Sequence, residues 1–173
     1  FFGTSVQRTW AEESYGHGLY PITAGEWLAD VLRERYGLPA TWFDLGIDGT
    51  RWRPQPEVAR RDDVVIAYAR TITPRRAVPV VLAALAELQR RRPATEVWLY
   101  GHDGPAGVDF PHRSLGVLTE DALARAYAEA TAGLVLSMTN YSLAAQEMLA
   151  CGLPCVELDA PSVVKAFGRD GPV

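Results

Sequence analysis

Residues 64–69 read VVIAYA, a continuous apolar run without the polar alternation of a half-exposed strand. Such a run is typical of a strand that is buried on both faces of a sheet. Further along, residues 76–91 carry apolar side chains at helical spacing, with Pro79 in the first turn, where a missing N–H costs little. Residues 96–100, EVWLY, then predict a second buried strand, which ends at Gly101.

The alternation of strands and helices continues towards the end of the chain. Thr119 is suited to cap a helix whose apolar positions lie within residues 123–130. Residues 133–136 predict another buried strand, residues 144–150 a short helix and residues 154–158 a short strand. This order predicts an α/β fold, a Rossmann-like doubly wound parallel sheet with helices on both faces.

The sequence before the first apolar run is more polar and less regular. Residues 26–36 predict a helix and residues 41–45 a strand. Residues 48–63 contain prolines and charged residues, which is typical of a linker. We therefore expect residues 1–47 to end one domain. Residues 64–173 are expected to form a second domain that is incomplete at its C-terminus, since a doubly wound domain normally finishes with another strand and helix.

The composition restricts the possible functions. With 173 residues the chain is long enough for one ordinary domain, and 48% hydrophobic with 22% charged residues indicates a globular protein. The net charge of -4 and the pI of about 5.4 disfavour a nucleic-acid partner, so phosphate recognition has to come from a local basic site. Neither a signal peptide nor a long apolar span is evident, which predicts a cytoplasmic protein.

The sequence offers no recognisable metal site. Cys151 and Cys155 have the spacing C-x-x-x-C without a neighbouring histidine, so we expect two small buried residues. Asp62 and Asp63 precede a predicted strand instead of following it, away from the edge where ligands bind.

In an open parallel sheet, ligands bind beyond the carboxyl ends of the strands. Three arginines follow the first buried strand and precede a helix, whose free N–H groups favour an anion: Arg70, Arg75 and Arg76. Bidentate guanidinium contacts would hold a diphosphate there. Arg70, fixed at the strand end, favours a binding role, whereas Arg76 taken alone is typical of a solvated surface charge.

Residues 137–142, SMTNYS, lie between a predicted strand and a predicted helix. Their hydroxyls and the helix N-terminus suit phosphate oxygens, although ordinary N-capping by Ser142 or Asn140 explains the same residues. Glu147 in the following helix could accept hydrogen bonds from a ribose diol. On its own, a helical glutamate is usually a surface residue.

Several short motifs resemble the family-4 glycosyltransferases, which have the GT-B architecture. FDLGID followed by WRP is similar to that family's entry into its C-terminal domain, and YAR followed by an arginine resembles its phosphate-binding pair. EMLACGLPCV is the most specific match, because it closely resembles the family's EAMAcGlPVV block. The motifs occupy residues 43–48 with 52–54, residues 68–70 with 75, and residues 147–156.

Within that family, the chain most resembles the S-layer and rhamnan-type rhamnosyltransferase group. The similar segments are ARTITPRRA, FPHRSLGVL and the stretch from LSMTN to GLPCV, at residues 69–77, 110–118 and 136–156. The resemblance implies that residues 64–173 are the nucleotide-sugar-binding domain of a GT-B enzyme, and that residues 1–47 end its acceptor-side domain.

The resemblance also implies a reaction and its partners. A sugar, with rhamnose suggested by the group, would be transferred with retention from a nucleoside diphosphate donor, without a metal or another cofactor. The acceptor would be a glycan or a lipid-linked acceptor. The parent protein would act in the cytoplasm, with peripheral association at the inner face of the membrane.

The resemblance assigns roles to individual residues. Arg70 and Arg75 would bind the diphosphate and stabilise the charge that develops on the leaving nucleotide. Thr139 stands where the family carries the first glutamate of its E-x7-E motif, which leaves the sugar open. The remaining donor contacts would come from Thr139, Asn140, Tyr141, Ser142, Glu147 and the backbone of Gly116, Val117 and Leu118.

Two other functions are compatible with such a fold. A non-catalytic module that binds a nucleotide or another anion would use the same strand ends. A flavodoxin-like signalling domain is disfavoured, because a receiver needs clustered acids at the strand ends, where this sequence carries arginines.

Overall fold

The computed structural model describes residues 5–70, 76–102 and 108–169. The helices are α1 Ser5–Ser14, α2 Glu26–Tyr36, α3 Val78–Arg91, α4 Glu120–Glu129, α5 Leu143–Ala150 and α6 Pro161–Phe167. The strands are β1 Ile22–Ala24, β2 Thr41–Phe43, β3 Val64–Tyr68, β4 Glu96–Tyr100, β5 Arg113–Gly116, β6 Ala132–Leu134 and β7 Cys155–Val156.

Five parallel strands form the main sheet in the order β5-β4-β3-β6-β7. The chain starts in the centre at β3, builds outward through β4 and β5, and then returns to the other side of β3 with β6 and β7. The strand order therefore reverses between β3 and β6. In open α/β sheets this switch point is where ligands bind, at the carboxyl ends of the strands.

Both faces of the sheet are covered, which confirms the predicted α/β architecture. Ile66 and Trp98 on one face pack with Tyr127 of α4 and Met148 of α5. On the opposite face, residues of β3 and β4 pack against α3, including Ala67, Val97, Leu99, Val81 and Leu85. Alternate side chains of one apolar strand thus enter two cores, as expected for a strand buried on both faces.

A smaller layer precedes the main sheet. Strands β1 and β2 pair in parallel, and α2 packs beside them. Helix α6 returns to this layer and packs on α2, where Lys165 Nζ lies 3.0 Å from Asp30 Oδ2 and 3.3 Å from Glu26 Oε2. The last described helix therefore lies against the first layer of the chain.

Most predicted elements are confirmed, with shifted ends. Helix α3 begins at Val78 and not at residue 76, because Ala77 adopts a left-handed conformation with φ 46° at its N-cap. Thr119 caps α4 as predicted, since its Oγ accepts the N–H of Ala122. The strand predicted at residues 133–136 is observed as β6, which ends at Leu134.

The sequence did not reveal α1, β1, β5 and α6. Strand β5 reads RSLG, in which the first two residues are exposed, so it lacks the apolar pattern of the inner strands. Cys151 and Cys155 are free and buried as predicted, and burial raises the pKa of the Cys155 thiol to about 12. Among the described residues, no helix is both long enough and apolar enough to cross a membrane.

Candidate functional site

The switch point between β3 and β6 brings together two loops that are distant in sequence. Arg76, just before α3, donates from Nη1 to Ser142 Oγ at 3.0 Å, and its guanidinium lies 5.5 Å from the centre of the Tyr68 ring. Ser142 also caps α5 by accepting the N–H of Ala144 at 3.2 Å. Arg76 is half-buried and fixed. The prediction that it is a solvated surface charge is therefore wrong.

A cavity of about 480 Å³ opens at the carboxyl ends of β3 and β4. This volume falls within the range of about 300–1,000 Å³ that is typical of small-molecule sites. Three predicted residues line it, namely Arg70, Val117 and Leu118. The cavity is also lined by Tyr68, Tyr100, Gly101, His102 and Leu123.

Gly101 allows the backbone to approach the cavity wall closely. Its φ of 92° lies in the region that disfavours side chains, and an added Cβ would lie 2.9 Å from Tyr68 Cε2 and 3.5 Å from Arg70 Cβ. Its N–H donates to the carbonyl of Gly116 at 2.8 Å, which fixes the edge where Val117 begins. Val117 itself is 73% exposed and offers an apolar surface at the mouth of the cavity.

Glu147 lies on α5, and its charge acts on a buried tyrosine pair. The hydroxyls of Tyr100 and Tyr127 are 2.6 Å apart, and burial raises the pKa of both, with a smaller contribution from the charge of Glu147. Glu147 is half-buried, and burial, together with the charge of Glu120, raises the pKa of its carboxyl. A half-buried helical carboxyl without a cationic partner among the described residues is suited to a ligand that donates hydrogen bonds.

The loop of residues 137–142 divides its side chains between two layers. Asn140 Nδ2 donates to the carbonyl of Ala24 at 2.7 Å, and Tyr141 Oη accepts the N–H of Leu45 at 3.0 Å. Both side chains therefore hold the first layer to the main sheet. Thr139 is half-buried in the same loop.

Four buried side-chain atoms have no hydrogen-bond partner in the described part of the chain. They are His102 Nδ1, Ser137 Oγ, Gln146 Oε1 and Glu157 Oε2. Three of these residues follow β4, β6 and β7 at the carboxyl edge of the sheet. Buried polar atoms are normally paired, so such a cluster marks a place where a ligand or water completes the bonding.

The structure brings some of the predicted residues together and leaves others apart. Arg70, Val117 and Leu118 share the cavity, with Gly116 at its edge, and Ser142 contacts Arg76. Glu147 does not line this cavity, but its charge acts on Tyr100, which does. Arg75 lies outside the described residues. Glu157 was missed, because it falls inside the strand that the sequence predicts at residues 154–158. His102 belongs to residues 101–107, for which the sequence favours a plain loop over a loop that covers a ligand, and residues 103–107 lie outside the described residues.

A second, smaller cavity of about 190 Å³ lies between the first layer and helices α5 and α6. It is lined by residues such as Trp27, Trp42, Tyr141 and Lys165. No metal-binding group of three or more histidine, cysteine or acidic side chains occurs within residues 5–70, 76–102 and 108–169.

Comparison with known proteins identifies the fold. Sucrose-phosphate synthase from Thermosynechococcus elongatus superposes with a TM-score of 0.74 at 16% identity, covering 94% of this chain and 46% of that one. The pneumococcal O-GlcNAc transferase GtfA, solved with UDP and GlcNAc, gives 0.68 at 18% identity over 96% of this chain and 34% of that one. The chain has a GT-B fold. No protein-family model matches it.

Two curated proteins are similar in sequence. The chain is 30% identical over 167 residues to the O-antigen biosynthesis protein RfbC of Myxococcus xanthus, covering 94% of this chain and 13% of that protein. It is 28% identical over 159 residues to the D-inositol 3-phosphate glycosyltransferase of Rhodococcus erythropolis, covering 76% of this chain and 36% of that protein. The chain thus spans well under half of each relative.

Proposed function

We propose that this chain is the donor-binding part of a glycosyltransferase that moves a sugar from a nucleoside diphosphate to an acceptor glycan. The observation that carries the proposal is the bond of Arg76 to Ser142 at the switch point of the sheet, with Arg76 stacked on Tyr68, which lines the same cavity as Arg70. The names of the two similar proteins, one in O-antigen biosynthesis and one a glycosyltransferase, support the same chemistry.

The diphosphate would bind between the two switch-point loops. Arg70 is exposed at the end of β3, and Arg76 has guanidinium N–H groups beyond the one that Ser142 accepts. Guanidinium groups form bidentate bonds with phosphate oxygens, and the N-termini of α3 and α5 add partial positive charge. These cations would stabilise the charge that develops on the departing nucleotide, which is the main electrostatic requirement of the reaction. Arg75 would complete this set.

The nucleoside would occupy the cavity. We assign the ribose to Glu147, whose carboxylate can accept hydrogen bonds from two vicinal hydroxyls. The base would lie against the backbone of Gly116, Val117 and Leu118, near the exposed Val117 side chain. Thr139, Asn140, Tyr141 and Ser142 would line the phosphate and sugar side, with Asn140 and Tyr141 acting mainly through their backbone because their side chains bond to the first layer.

Finer features of the reaction rest on the resemblance to the family-4 glycosyltransferases and their rhamnosyltransferase group. We propose retention at the anomeric carbon, no requirement for a metal or other cofactor, and rhamnose as the first sugar to test. We assign the acceptor side to residues 1–47, the linker to residues 48–63 and the donor side to residues 64–173. The acceptor would be a glycan or a lipid-linked acceptor, the parent protein would be cytoplasmic or at the inner membrane face, and nucleic acid would not be a partner.

Calorimetric titration tests the proposal. The full-length protein, in EDTA, is titrated with UDP, dTDP, GDP and ADP, and then with the sugar-linked form of the nucleotide that binds best. We expect one diphosphate to bind and its sugar-linked form to be hydrolysed or transferred. Binding without any turnover would favour the non-catalytic nucleotide-binding module. No binding by the folded protein would contradict both.

A further inference from the structure

The loop of residues 137–142 is held at its first residue by Glu157. The N–H of Ser137 donates to Glu157 Oε1 at 2.7 Å, and the N–H of Leu158 donates to the same oxygen at 2.9 Å. Glu157 directly follows β7, which pairs with β6, so its carboxyl group reaches across from the end of the neighbouring strand. Ser137 is only 1% exposed, which leaves this end of the loop little freedom.

The same loop is held at its last residue by Arg76. The bond from Arg76 Nη1 to Ser142 Oγ is 3.0 Å, and the Tyr68 ring supports the guanidinium from one side. Arg76 and Glu157 also interact through their charges. Burial raises the pKa of Glu157, while its hydrogen bonds and the positive charge of Arg76 act in the opposite direction.

A neutral side chain would be enough if Glu157 only braced the strand ends. Thr131 performs that task at the opposite edge of the sheet, where its Oγ accepts the N–H of Val64 at 3.0 Å and donates to the carbonyl of Arg61 at 2.8 Å. Glu157 satisfies its two N–H groups with one oxygen and leaves Oε2 buried, without a partner in the described part of the chain. The two bonds alone do not need this negative charge, and the charge of Arg76 favours the ionised form of the carboxyl.

We propose that Glu157 is a positioning residue for diphosphate binding, which fixes Ser137 at the start of the loop whose last residue, Ser142, holds the Arg76 guanidinium. The inference rests on the proposed function and extends it to a residue that does not touch the donor. A carboxylate in direct contact with the phosphates would repel them, whereas Glu157 acts through the loop that it holds at Ser137. Supporting residues of this kind commonly change affinity by about 10–100-fold through the group that they orient.

Three variants test the inference: Glu157→Gln, Glu157→Ala and, as a matched control, Thr131→Ala. Each full-length variant is titrated with the diphosphate among UDP, dTDP, GDP and ADP that binds the wild type best, and with the corresponding monophosphate. The deciding quantity is the ratio of diphosphate to monophosphate affinity. If Glu157 only stabilised the strand ends, its substitution would lower the melting temperature without changing this ratio.

We expect Glu157→Gln to lower the ratio about fivefold and Glu157→Ala about tenfold or more, because the loop that holds Arg76 through Ser142 loses its fixed first residue. Thr131→Ala should leave the ratio unchanged. An unchanged ratio in Glu157→Gln, or an equal fall in Thr131→Ala, would overturn the inference. If the wild type binds none of the four diphosphates, the proposed function itself fails, so the two failures are distinguishable.

Discussion

The two edges of the main sheet differ in how their polar groups are satisfied. At the amino edge, Thr95 Oγ1 donates to Asp63 Oδ1 at 3.0 Å and Thr131 bonds to two backbone groups. At the carboxyl edge, Ser137, Glu157 and His102 each keep a buried atom without a partner in the described part of the chain. Unpaired buried polar atoms cost stability. The difference indicates that one edge is built for stability and the other for a ligand.

Charge is used differently at the two edges as well. Arg92 at the amino edge pairs with Asp63, with 3.1 Å between Nη2 and Oδ1, and Arg61 pairs with Glu96. At the carboxyl edge, no ion pair neutralises Arg70 or Arg76 among the described residues. Cations without a carboxylate partner favour an anionic ligand.

Removing the carboxyl-edge cations should have the largest effect. In the double variant Arg70→Ala with Arg76→Ala, we expect nucleoside diphosphate affinity to fall about 100-fold, since each charge-assisted bond contributes about 1.5–3 kcal/mol. The matched control is Arg92→Ala at the amino edge, which should change the affinity less than about twofold. Calorimetry measures both. An equal loss of nucleoside diphosphate affinity in Arg92→Ala would contradict the proposed difference between the two edges.

Substitution of Gly101 should damage the cavity and the fold together. Gly101→Ala places a Cβ 2.9 Å from the Tyr68 ring at a φ of 92°, so we expect a loss of about 2 kcal/mol in the free energy of unfolding and weaker nucleotide binding. Gly49→Ala serves as the control, because nothing lies within 4 Å of its added Cβ. Urea denaturation compares the two variants. Equal stability losses would show that the close approach at Gly101 is unimportant.

Glu147→Gln should weaken binding of the nucleoside without weakening binding of the phosphates. We expect affinity for the nucleoside diphosphate to fall about tenfold and affinity for inorganic pyrophosphate to stay unchanged, because the carboxyl is assigned to the ribose. Glu129→Gln, on the neighbouring helix α4, is the control. A parallel loss of pyrophosphate affinity would place Glu147 at the phosphates instead.

The same variant has a predicted pH dependence. The pKa of Glu147 is raised above its ordinary value of 4.5, so the folded protein holds the proton more tightly than the unfolded chain. Ionisation therefore costs stability as the pH rises above that value, and Glu147→Gln removes the cost. The melting temperature of the variant relative to wild type should rise as the pH rises above 4.5. If the melting-temperature difference between Glu147→Gln and wild type falls as the pH rises, the raised pKa of Glu147 is contradicted.

Thr131→Ala at the amino edge should have the smallest effect and should be confined to stability. The variant leaves the N–H of Val64 without its acceptor, so we expect a loss of about 1 kcal/mol in the free energy of unfolding. Nucleotide affinity should remain within about twofold of wild type, since the site lies at the other edge. Thermal unfolding and calorimetry on the same sample check the two expectations.

The sequence predicted the parts of the fold that are encoded by local burial. Strands β3 and β4 are continuous apolar runs because both faces are covered, and Thr119 is a cap that can be recognised within one turn. Strand β5 was missed because exposed residues begin it. Helix α6 was missed because only Ser162 and Val163 are buried in its seven residues.

The site was less predictable, because its residues are defined by distant partners. Arg76 could not be distinguished from a surface arginine until its partner Ser142, 66 positions later, was in place. The side chain of Asn140 bonds to Ala24, 116 positions earlier, so a phosphate-binding role could not be separated from a packing role. Arg70, which the structure places in the cavity wall, was singled out because the end of a buried strand is itself a local signal.

Backbone amide exchange, with and without the best-binding nucleoside diphosphate, tests the difference between the edges most directly. The account predicts slower exchange on binding at Arg70, at residues 101–102 and in the loop of residues 137–142. Exchange at the amino edge, around Val64, Thr95 and Thr131, should not change. Protection at the amino edge, or no protection at the carboxyl edge at saturating nucleotide, would contradict the central claim.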